Sequence, residues 1–287
     1  MNDLIRNKNF KEPDGPVVLA IMDGVGIGKN FKSDCVAQAV TPNLDWLKKN
    51  VLYTEIKAHG KAVGLPEDTD MGNSEVGHNA IGCGRVFAQG ASLIDDAIKN
   101  RSLFNGVVWN ELIDNAKNKH TTLHFLGLLS DGKVHSNINH LEAMLLEAKT
   151  RGVKSVRIHA LIDGRDVPPL SALDYIRRIE SFLRKINEDT QFDYLIASGG
   201  GRMKITMDRY DADWPMVEKG WHTHVLGKGR YFNSMEEAVK VFRYENNEIL
   251  DQDLPPFVIE KDGKPVGPIV DGDSVILFNY RGDRALE

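Results

Sequence analysis

The sequence has only two cysteines, no long apolar run and no excess of basic residues. Two cysteines in 287 residues argue against a disulfide framework and favour a reducing compartment. The longest apolar stretches, residues 17–22 and 123–129, are far too short to cross a bilayer, and residues 1–16 lack the apolar core of a signal peptide. The formal net charge of −5 gives no basis for binding nucleic acid or an anionic membrane. We therefore expect a cytoplasmic protein with neither of these partners.

The remaining composition, 41% hydrophobic and 27% charged, is that of a globular protein. Short apolar runs each stop at a cluster of Gly, Asp, Ser or Asn, which is typical of strands buried on both faces of a parallel sheet. The runs are residues 17–22, 123–129, 156–162, 194–197 and 274–280. Residues 137–150 and 171–186 carry apolar side chains at helical spacing. The alternation of strand, loop and helix predicts an α/β fold.

Cationic side chains and one histidine follow four of these runs. In open α/β sheets, ligands bind outside the carboxyl ends of the strands, and guanidinium groups match the geometry of phosphate and carboxylate. The pattern therefore predicts a small ligand with several negative charges. The alternative for each arginine is surface solvation or a local salt bridge. The residues are His135, Arg165, Arg202 with Arg209, and Arg281 with Arg284.

Asp23 directly follows the first apolar run and opens a glycine-rich stretch. A carboxylate at the end of a strand is well placed to bind a metal ion, but Asp-Gly is also a common turn dipeptide. The glycines are spaced G-x-G-x-G, with Lys29 where a dinucleotide-binding fingerprint needs its third glycine. This spacing argues against a nicotinamide cofactor.

Ser74 lies in the densest polar segment, residues 68–85, between Gly72 and Gly77. Small neighbours would leave its hydroxyl accessible as a nucleophile, provided that a base or a metal activates it. Val76 stands where the nucleophile elbow of hydrolases needs glycine. The alternative is an ordinary serine that caps a helix.

Six strings together resemble cofactor-independent phosphoglycerate mutase, over residues 16–287. They are MDGVGIG, AVGLPEDTDMGNSEVGHNAIGCGR, LLSDGKVHSNINHL, ALIDGRDVPP, ASGGGRMKITMDRYDADW and NYRGDR. The resemblance implies interconversion of 3-phosphoglycerate and 2-phosphoglycerate, in glycolysis and gluconeogenesis, through a phosphoserine intermediate. It also implies two divalent metal ions, usually manganese, and a monomer.

The same resemblance implies a fold and a set of site residues. An alkaline-phosphatase-like domain, of which residues 1–88 form the N-terminal part, would be interrupted by an inserted α/β transferase domain at residues 89–287. Ser74 would be the nucleophile, and Asp23 and Ser74 would bind one metal. The substrate would be held by His135, Arg165, Asp166, Arg202, Arg209, Arg281 and Arg284.

Residues 281–287 resemble a loop that starts a helix and stops after one turn, so we expect the sequence to be a fragment. The resemblance places the other metal ligands, Asp and His residues, and a substrate lysine beyond residue 287. We therefore expect no mutase activity from this piece alone. Two alternatives remain: a metal-dependent phosphohydrolase of the alkaline phosphatase superfamily, and a binding module without catalysis.

Overall fold

The computed structural model describes residues 7–23, 25–208 and 213–286. The chain divides into two units, residues 1–56 and 57–287. The first unit contains a 3-10 turn at Phe31–Ser33 and two helices, α1 (Cys35–Gln38) and α2 (Pro42–Asn50). Pro42 suits the first turn of α2, where a backbone N–H has no helical partner. No described residue of this unit is buried.

Residues 17–22 do not form a strand, so this part of the sequence prediction is wrong. A buried strand needs a neighbouring strand for its backbone N–H and C=O groups, and cover for its apolar side chains. The described part of the first unit contains no strand. The large apolar side chains of the run, from Val17 to Met22, are all exposed. An apolar composition alone therefore did not determine the conformation here.

The second unit is built on a seven-stranded mixed sheet with the order β4-β5-β3-β2-β1-β7, in which β6 pairs with β5. Its four strands β7, β1, β2 and β3 are mutually parallel, whereas β5 runs antiparallel to β3. The strands are β1 (Leu123–Leu128), β2 (Ser155–Ile162), β3 (Asp193–Gly201), β4 (Arg230–Phe232), β5 (Phe257–Lys261), β6 (Lys264–Pro265) and β7 (Ser274–Leu277).

In the described residues of this unit, seven helices surround or precede the sheet. They are α3 (Ser74–Cys83), α4 (Ala91–Lys99), α5 (Val107–Asn118), α6 (Ile138–Arg151), α7 (Ala172–Asn187), α8 (Trp214–Gly220) and α9 (Met235–Glu245). A π-helical turn, Trp221–Val225, continues α8. None of the helices in the described ranges is long and apolar enough to cross a membrane.

The α/β prediction is confirmed by the second unit. The runs at 123–129, 156–162, 194–197 and 274–280 correspond to β1, β2, β3 and β7, and the two amphipathic segments correspond to α6 and α7. The side chain of Asn137 caps the start of α6, and Gly152 ends it with φ 88°. The hydrophobic core lies between the sheet and helices α5, α6, α7 and α9.

The predicted domain boundary between residues 88 and 89 falls inside the second unit, shortly before α4. The division of the whole protein into domains stays a prediction. The parallel strands β1, β2, β3 and β7 place their carboxyl ends, and the loops that follow them, at one edge of the sheet.

Candidate functional site

Arg202 follows β3 directly and is the most deeply buried cation of the candidate site, at 2% exposure. Its Nη1 donates to Oδ1 of Asp163 at 2.8 Å and to Oδ2 of Asp166 at 2.6 Å. Burial opposes its charge, but the two carboxylates outweigh that cost and raise the pKa of the guanidinium above its ordinary value. Its Nε is buried and has no hydrogen-bond partner in the described part of the chain. One edge of the guanidinium is thus held by protein, and a second donor remains for a ligand.

Asp163 follows β2 and is itself 2% exposed. Besides Arg202, it accepts hydrogen bonds from the Ser130 hydroxyl at 2.6 Å and from the backbone N–H groups of Arg165 and Asp166 at 3.2 and 3.1 Å. Three of these four donors lie on Oδ1 and one lies on Oδ2, so both oxygens of the carboxylate are held. The loops after β1, β2 and β3 are therefore joined at a single side chain.

Asp166 contacts the same guanidinium of Arg202. Burial, followed by the nearby charge of Asp163, raises the pKa of its carboxyl above the usual range, although Arg202 acts against the shift. Two carboxylates that share one guanidinium repel each other when both are ionised. The predicted site residue Asp166 is thus in direct contact with Arg202, and its role in binding substrate stays a prediction.

His135 lies in the loop after β1 and is 3% exposed. Burial, followed by the charges of Arg202 and Arg281, lowers the pKa of its imidazole to about 4. The ring is therefore neutral at pH 7. Its Nδ1 is buried without a hydrogen-bond partner in the described ranges. His135 and Arg202 together present buried nitrogen atoms that no described protein group satisfies.

The loop after β7 carries the other two arginines of the candidate site. Arg281 Nε lies 3.1 Å from Asp283 Oδ1 and 3.5 Å from Glu75 Oε2. Arg284 Nη1 donates to the backbone oxygen of Met207 at 2.8 Å. Both guanidinium groups influence the pKa of His135, so they belong to the same cluster of charges.

Ser74 is the first residue of α3. The next residue, Glu75, makes the contact with Arg281. The helix is capped by Asn73, whose side chain accepts from the N–H of Val76, so the alternative of Ser74 as the cap is wrong. Ser74 is half-buried. The positive end of the helix dipole lies at this residue and favours negative charge there.

His78 does not serve as a base for Ser74 in this conformation. Its Nδ1 lies 2.7 Å from the backbone oxygen of Ser74 and 3.2 Å from the hydroxyl. A carbonyl oxygen can only accept, so Nδ1 carries the proton and cannot take another one from the hydroxyl. Activation of Ser74 has to come from another group.

A cavity of about 190 Å³ opens between the start of α3 and the loops after β1 and β7. Its lining includes Asn73, Lys133, Tyr280 and Arg281. Lys133 donates to Asp70 at 2.9 Å, which links the segment before α3 to the loop after β1. The cavity thus joins the segment of the candidate nucleophile to the cationic loops.

Three predicted site residues lie outside this cluster, lie at its rim, or cannot be placed in it. Asp23 is exposed and belongs to the first unit. Arg165 is exposed at the rim of the cluster, where its backbone N–H donates to Asp163 and its charge acts on Asp166. Arg209 lies outside the described residues. The structure therefore brings together His135, Asp166, Arg202, Arg281 and Arg284, with Ser74 on the adjoining helix.

The described residues also bear on the expected metal centre. Across residues 7–23, 25–208 and 213–286, no group of three or more His, Cys, Asp or Glu side chains could hold a metal ion. Asp23 and Ser74 alone supply far fewer ligands than two metal ions need, so these residues do not by themselves fit a two-metal site.

A protein-family model described as "BPG-independent PGAM N-terminus" matches residues 94–287. The chain belongs to this family. Membership confirms the resemblance seen in the sequence. A protein of Leptospira interrogans named "Probable 2,3-bisphosphoglycerate-independent phosphoglycerate mutase" is 53% identical over 283 residues, which cover 98% of this chain and 52% of the relative.

Two further relatives also match nearly all of this chain with about half of their own length. The 2,3-bisphosphoglycerate-independent phosphoglycerate mutase of Trypanosoma brucei brucei is 50% identical over 277 residues, covering 96% of this chain and 50% of that protein. A solved structure described as Leishmania mexicana phosphoglycerate mutase at low cobalt concentration matches with a TM-score of 0.87 and 48% identity, covering 92% of this chain and 48% of that one. The chain thus spans about half the length of the relatives it matches.

Sequence reasoning missed two residues that build the cluster around Arg202, Asp163 and Ser130. Asp163 follows its strand directly, as Asp23 follows the first apolar run, so the argument that singled out Asp23 applied to it equally. Ser130 offered no signal, because its role depends on β1 and β2 being neighbours in the sheet.

Proposed function

We propose that this chain is the N-terminal, substrate-binding part of a cofactor-independent phosphoglycerate mutase, which interconverts 3-phosphoglycerate and 2-phosphoglycerate in glycolysis and gluconeogenesis. The observation that carries the proposal is the buried Arg202, fixed by Asp163 and Asp166 with its Nε unsatisfied beside the neutral His135. A fixed cation in a site of low dielectric is suited to phosphate or carboxylate.

The second element of the proposal is a phosphoryl group carried by Ser74. The serine stands at the first position of a ten-residue helix, where backbone N–H groups and the helix dipole favour a phosphate. Glu75 connects this turn to Arg281, which is one of the proposed substrate ligands. In this proposal the hydroxyl of Ser74 accepts the phosphoryl group, and the arginine loops hold the glycerate until its other hydroxyl takes the group back.

The remaining ligands for substrate follow from the resemblance. They are Arg165, Arg209 and Arg284, in addition to His135, Asp166, Arg202 and Arg281. Arg284 is held through the backbone oxygen of Met207, which fixes its position relative to the loop after β3. Arg165 is exposed, so in the proposal it reaches the substrate from the outer side of the site.

The metal requirement stays part of the proposal. Two divalent ions, manganese by family resemblance, would take Asp23 and Ser74 as ligands from this chain. The relatives are about twice as long, and the additional ligands would come from the half that this chain does not span.

The proposed architecture is an alkaline-phosphatase-like domain, to which residues 1–88 contribute, with a transferase domain inserted at residues 89–287. The family model begins at residue 94, close to the proposed boundary, which supports this division. The protein is proposed to act as a cytoplasmic monomer with phosphoglycerate as its small-molecule partner.

Calorimetric titration of the chain with 3-phosphoglycerate tests the binding half of the proposal. We expect Arg202→Met to weaken binding at least tenfold, because a charge-assisted bond contributes about 1.5–3 kcal/mol. Arg230→Met is the matched control, since Arg230 pairs with Glu245 on the exposed surface. Equal affinities of the Arg202 variant and the wild type would contradict the proposed site.

The reaction itself is tested by assaying the chain alone and the chain joined to the second half of the Leptospira relative. We expect isomer interconversion only in the joined protein. Release of inorganic phosphate without interconversion would identify a phosphohydrolase instead. Binding without either reaction would identify a binding module.

A further inference from the structure

Six side chains form a continuous chain of hydrogen bonds through the sheet, and the proposed reaction does not use it. It begins at Asp273, just before β7, crosses β1, β2 and β3, and ends at Thr206 in the loop after β3. All three of its histidines are at most 3% exposed. The links are Asp273 Oδ2 to His124 Nε2 (3.1 Å), His124 Nδ1 to His159 Nε2 (2.9 Å), His159 Nδ1 to Ser198 Oγ (2.7 Å), Ser198 Oγ to His224 Nδ1 (2.8 Å) and His224 Nε2 to Thr206 Oγ1 (3.0 Å).

The Asp273 end of this hydrogen-bond chain determines the position of every proton in it. The carboxylate of Asp273 only accepts, so Nε2 of His124 carries a proton, and in the neutral ring Nδ1 is then the acceptor. That acceptor requires a proton on Nε2 of His159, which leaves His159 Nδ1 as an acceptor in turn.

The same reasoning continues to the other end. The Ser198 hydroxyl must donate to His159 Nδ1, and its oxygen then accepts from Nδ1–H of His224. His224 Nε2 is left as an acceptor, which obliges the Thr206 hydroxyl to donate to it. A single order of protons satisfies all five bonds.

Asp273 is well suited to set this order. Its Oδ1 accepts from the backbone N–H of Thr122 at 2.8 Å, and its Oδ2 accepts from that of Val270 at 3.0 Å. The carboxylate is therefore fixed in place by the backbone at the start of β1 and before β7. Each ring nitrogen of the three histidines already has a hydrogen-bond partner, so the cluster offers no free nitrogen lone pair to a metal.

Thr206, at the far end, has an unfavourable backbone conformation. Its φ is 69°, in the left-handed region that a β-branched residue rarely adopts. Gly220 approaches so closely that a Cβ at that position would meet the backbone of Thr206 at 3.2 Å. A strained residue persists only where its surroundings hold it. Here the Thr206 hydroxyl bonds His224, and its backbone N–H donates to the backbone oxygen of Met216 at 3.3 Å.

The residue after Thr206 connects this hydrogen-bond chain to the candidate site. Met207 presents its backbone oxygen to Nη1 of Arg284 at 2.8 Å. This oxygen belongs to the next peptide unit, so a rotation of the Thr206 backbone reaches it through the φ and ψ bonds of Met207 alone. The buried chain thus ends one residue from the group that holds a proposed substrate ligand.

We infer that Asp273, His124, His159, Ser198 and His224 are positioning residues that hold Thr206, and through Met207 the guanidinium of Arg284, in the orientation that binds phosphoglycerate. The inference rests on the proposed function for its ligand, but its proton order and the position of Arg284 are independent of any ligand.

The proton order is tested by nitrogen NMR of the histidine side chains in the ¹⁵N-labelled chain at pH 7. We expect neutral rings with the proton on Nε2 in His124 and His159 and on Nδ1 in His224. A different tautomer at any of these rings, or a charged imidazolium, would overturn the inference.

The positioning role is tested with Thr206→Val, which removes the hydroxyl and keeps the shape. We expect the side-chain NMR signals of Arg284 to shift or broaden, and the affinity for 3-phosphoglycerate to fall about tenfold, equivalent to about 1.4 kcal/mol. Thr206→Ser keeps the hydroxyl and should restore both readouts. Thr223→Val is the matched control, because the Thr223 hydroxyl donates to the backbone of Lys219 and lies outside the chain.

The outcomes separate the inference from the proposed function. Unchanged Arg284 signals in Thr206→Val, or equal changes in Thr223→Val, would overturn the positioning role whether or not a ligand binds. Failure of the wild-type chain to bind phosphoglycerate, with the tautomers and the Arg284 response as expected, would contradict the proposed ligand and leave the positioning of Arg284 supported.

Discussion

Arg202 and Asp163 form an ion pair in which both side chains are 2% exposed and Nη1 lies 2.8 Å from Oδ1. A charge in such a position is stable only if its partner is present, since neither group is solvated by water. The pair joins the end of β3 to the loop after β2, and Ser130 adds the loop after β1. The buried pair therefore ties the loops after β1, β2 and β3 to one another at this edge of the sheet.

Replacing Asp163 by Asn should destabilise the protein strongly. The variant leaves the Arg202 guanidinium with only Asp166, and breaking a buried pair costs about 3–5 kcal/mol. Urea unfolding measures the free energy. Glu245→Gln is the control, because Glu245 and Arg230 are each about half exposed, and solvent screens such surface pairs so that they contribute little. Equal losses in the two variants would show that burial does not determine the strength of these pairs.

The sequence predicted the central part of the fold because its signals there are local. Buried parallel strands are read from short apolar runs, and α6 from its apolar stripe between Asn137 and Gly152. The same signal was wrong at residues 17–22, since a strand depends on partners that a run of apolar letters does not specify. The arginines were found because they follow strands.

The remainder of the site was not predictable from single positions. Ser130 and Asp163 matter because two strands are neighbours in the sheet, which the letters do not state. His222 and His224 alternate as on a strand, yet they lie in a π-helical turn, where His224 is buried and His222 is exposed. Long-range strand pairing, rather than local pattern, determined the roles of Ser130 and Asp163.

Ser74→Ala should abolish the phosphoenzyme and leave binding intact. Alanine fits the first turn of α3, and Asn73 still caps the helix. We expect the affinity for 3-phosphoglycerate to change less than about twofold, because the hydroxyl is not among the groups proposed to hold substrate. Phosphoenzyme is measured by mass spectrometry in the protein joined to the second half of the Leptospira relative. A phosphorylated protein after this substitution would assign the nucleophile to another residue.

His135 should make stability depend on pH. The fold holds its pKa at about 4, whereas in the unfolded chain the group takes up a proton below about pH 6.5. Stability is therefore fully present above pH 6.5 and is lost as the pH falls toward 4. For this group alone the loss between pH 7 and pH 5 is about 2 kcal/mol.

Urea unfolding at the two pH values measures this difference. We expect His135→Gln to lose less stability on acidification than the wild type, by about that amount. His222→Gln is the control, because His222 is exposed, and it should follow the wild type. Parallel pH profiles for all three proteins would show that His135 is not held neutral by the fold.

Two glycines should respond in opposite directions to substitution by alanine. At Gly201, the end of β3, a Cβ would lie 2.6 Å from the backbone N of Leu254 and would also clash with the carbonyl of Gln252. Backbone atoms cannot move aside cheaply, so we expect Gly201→Ala to cost about 2 kcal/mol or more. At Gly77, inside α3, a Cβ meets no atom within 4 Å, and alanine is the better helix former by about 1 kcal/mol. Thermal unfolding should therefore show a lower Tm for Gly201→Ala and a higher Tm for Gly77→Ala. A stable Gly201→Ala would mean that the segment at Gln252 is not packed against the end of β3, and the buried position of Arg202, the next residue, would then lack its support.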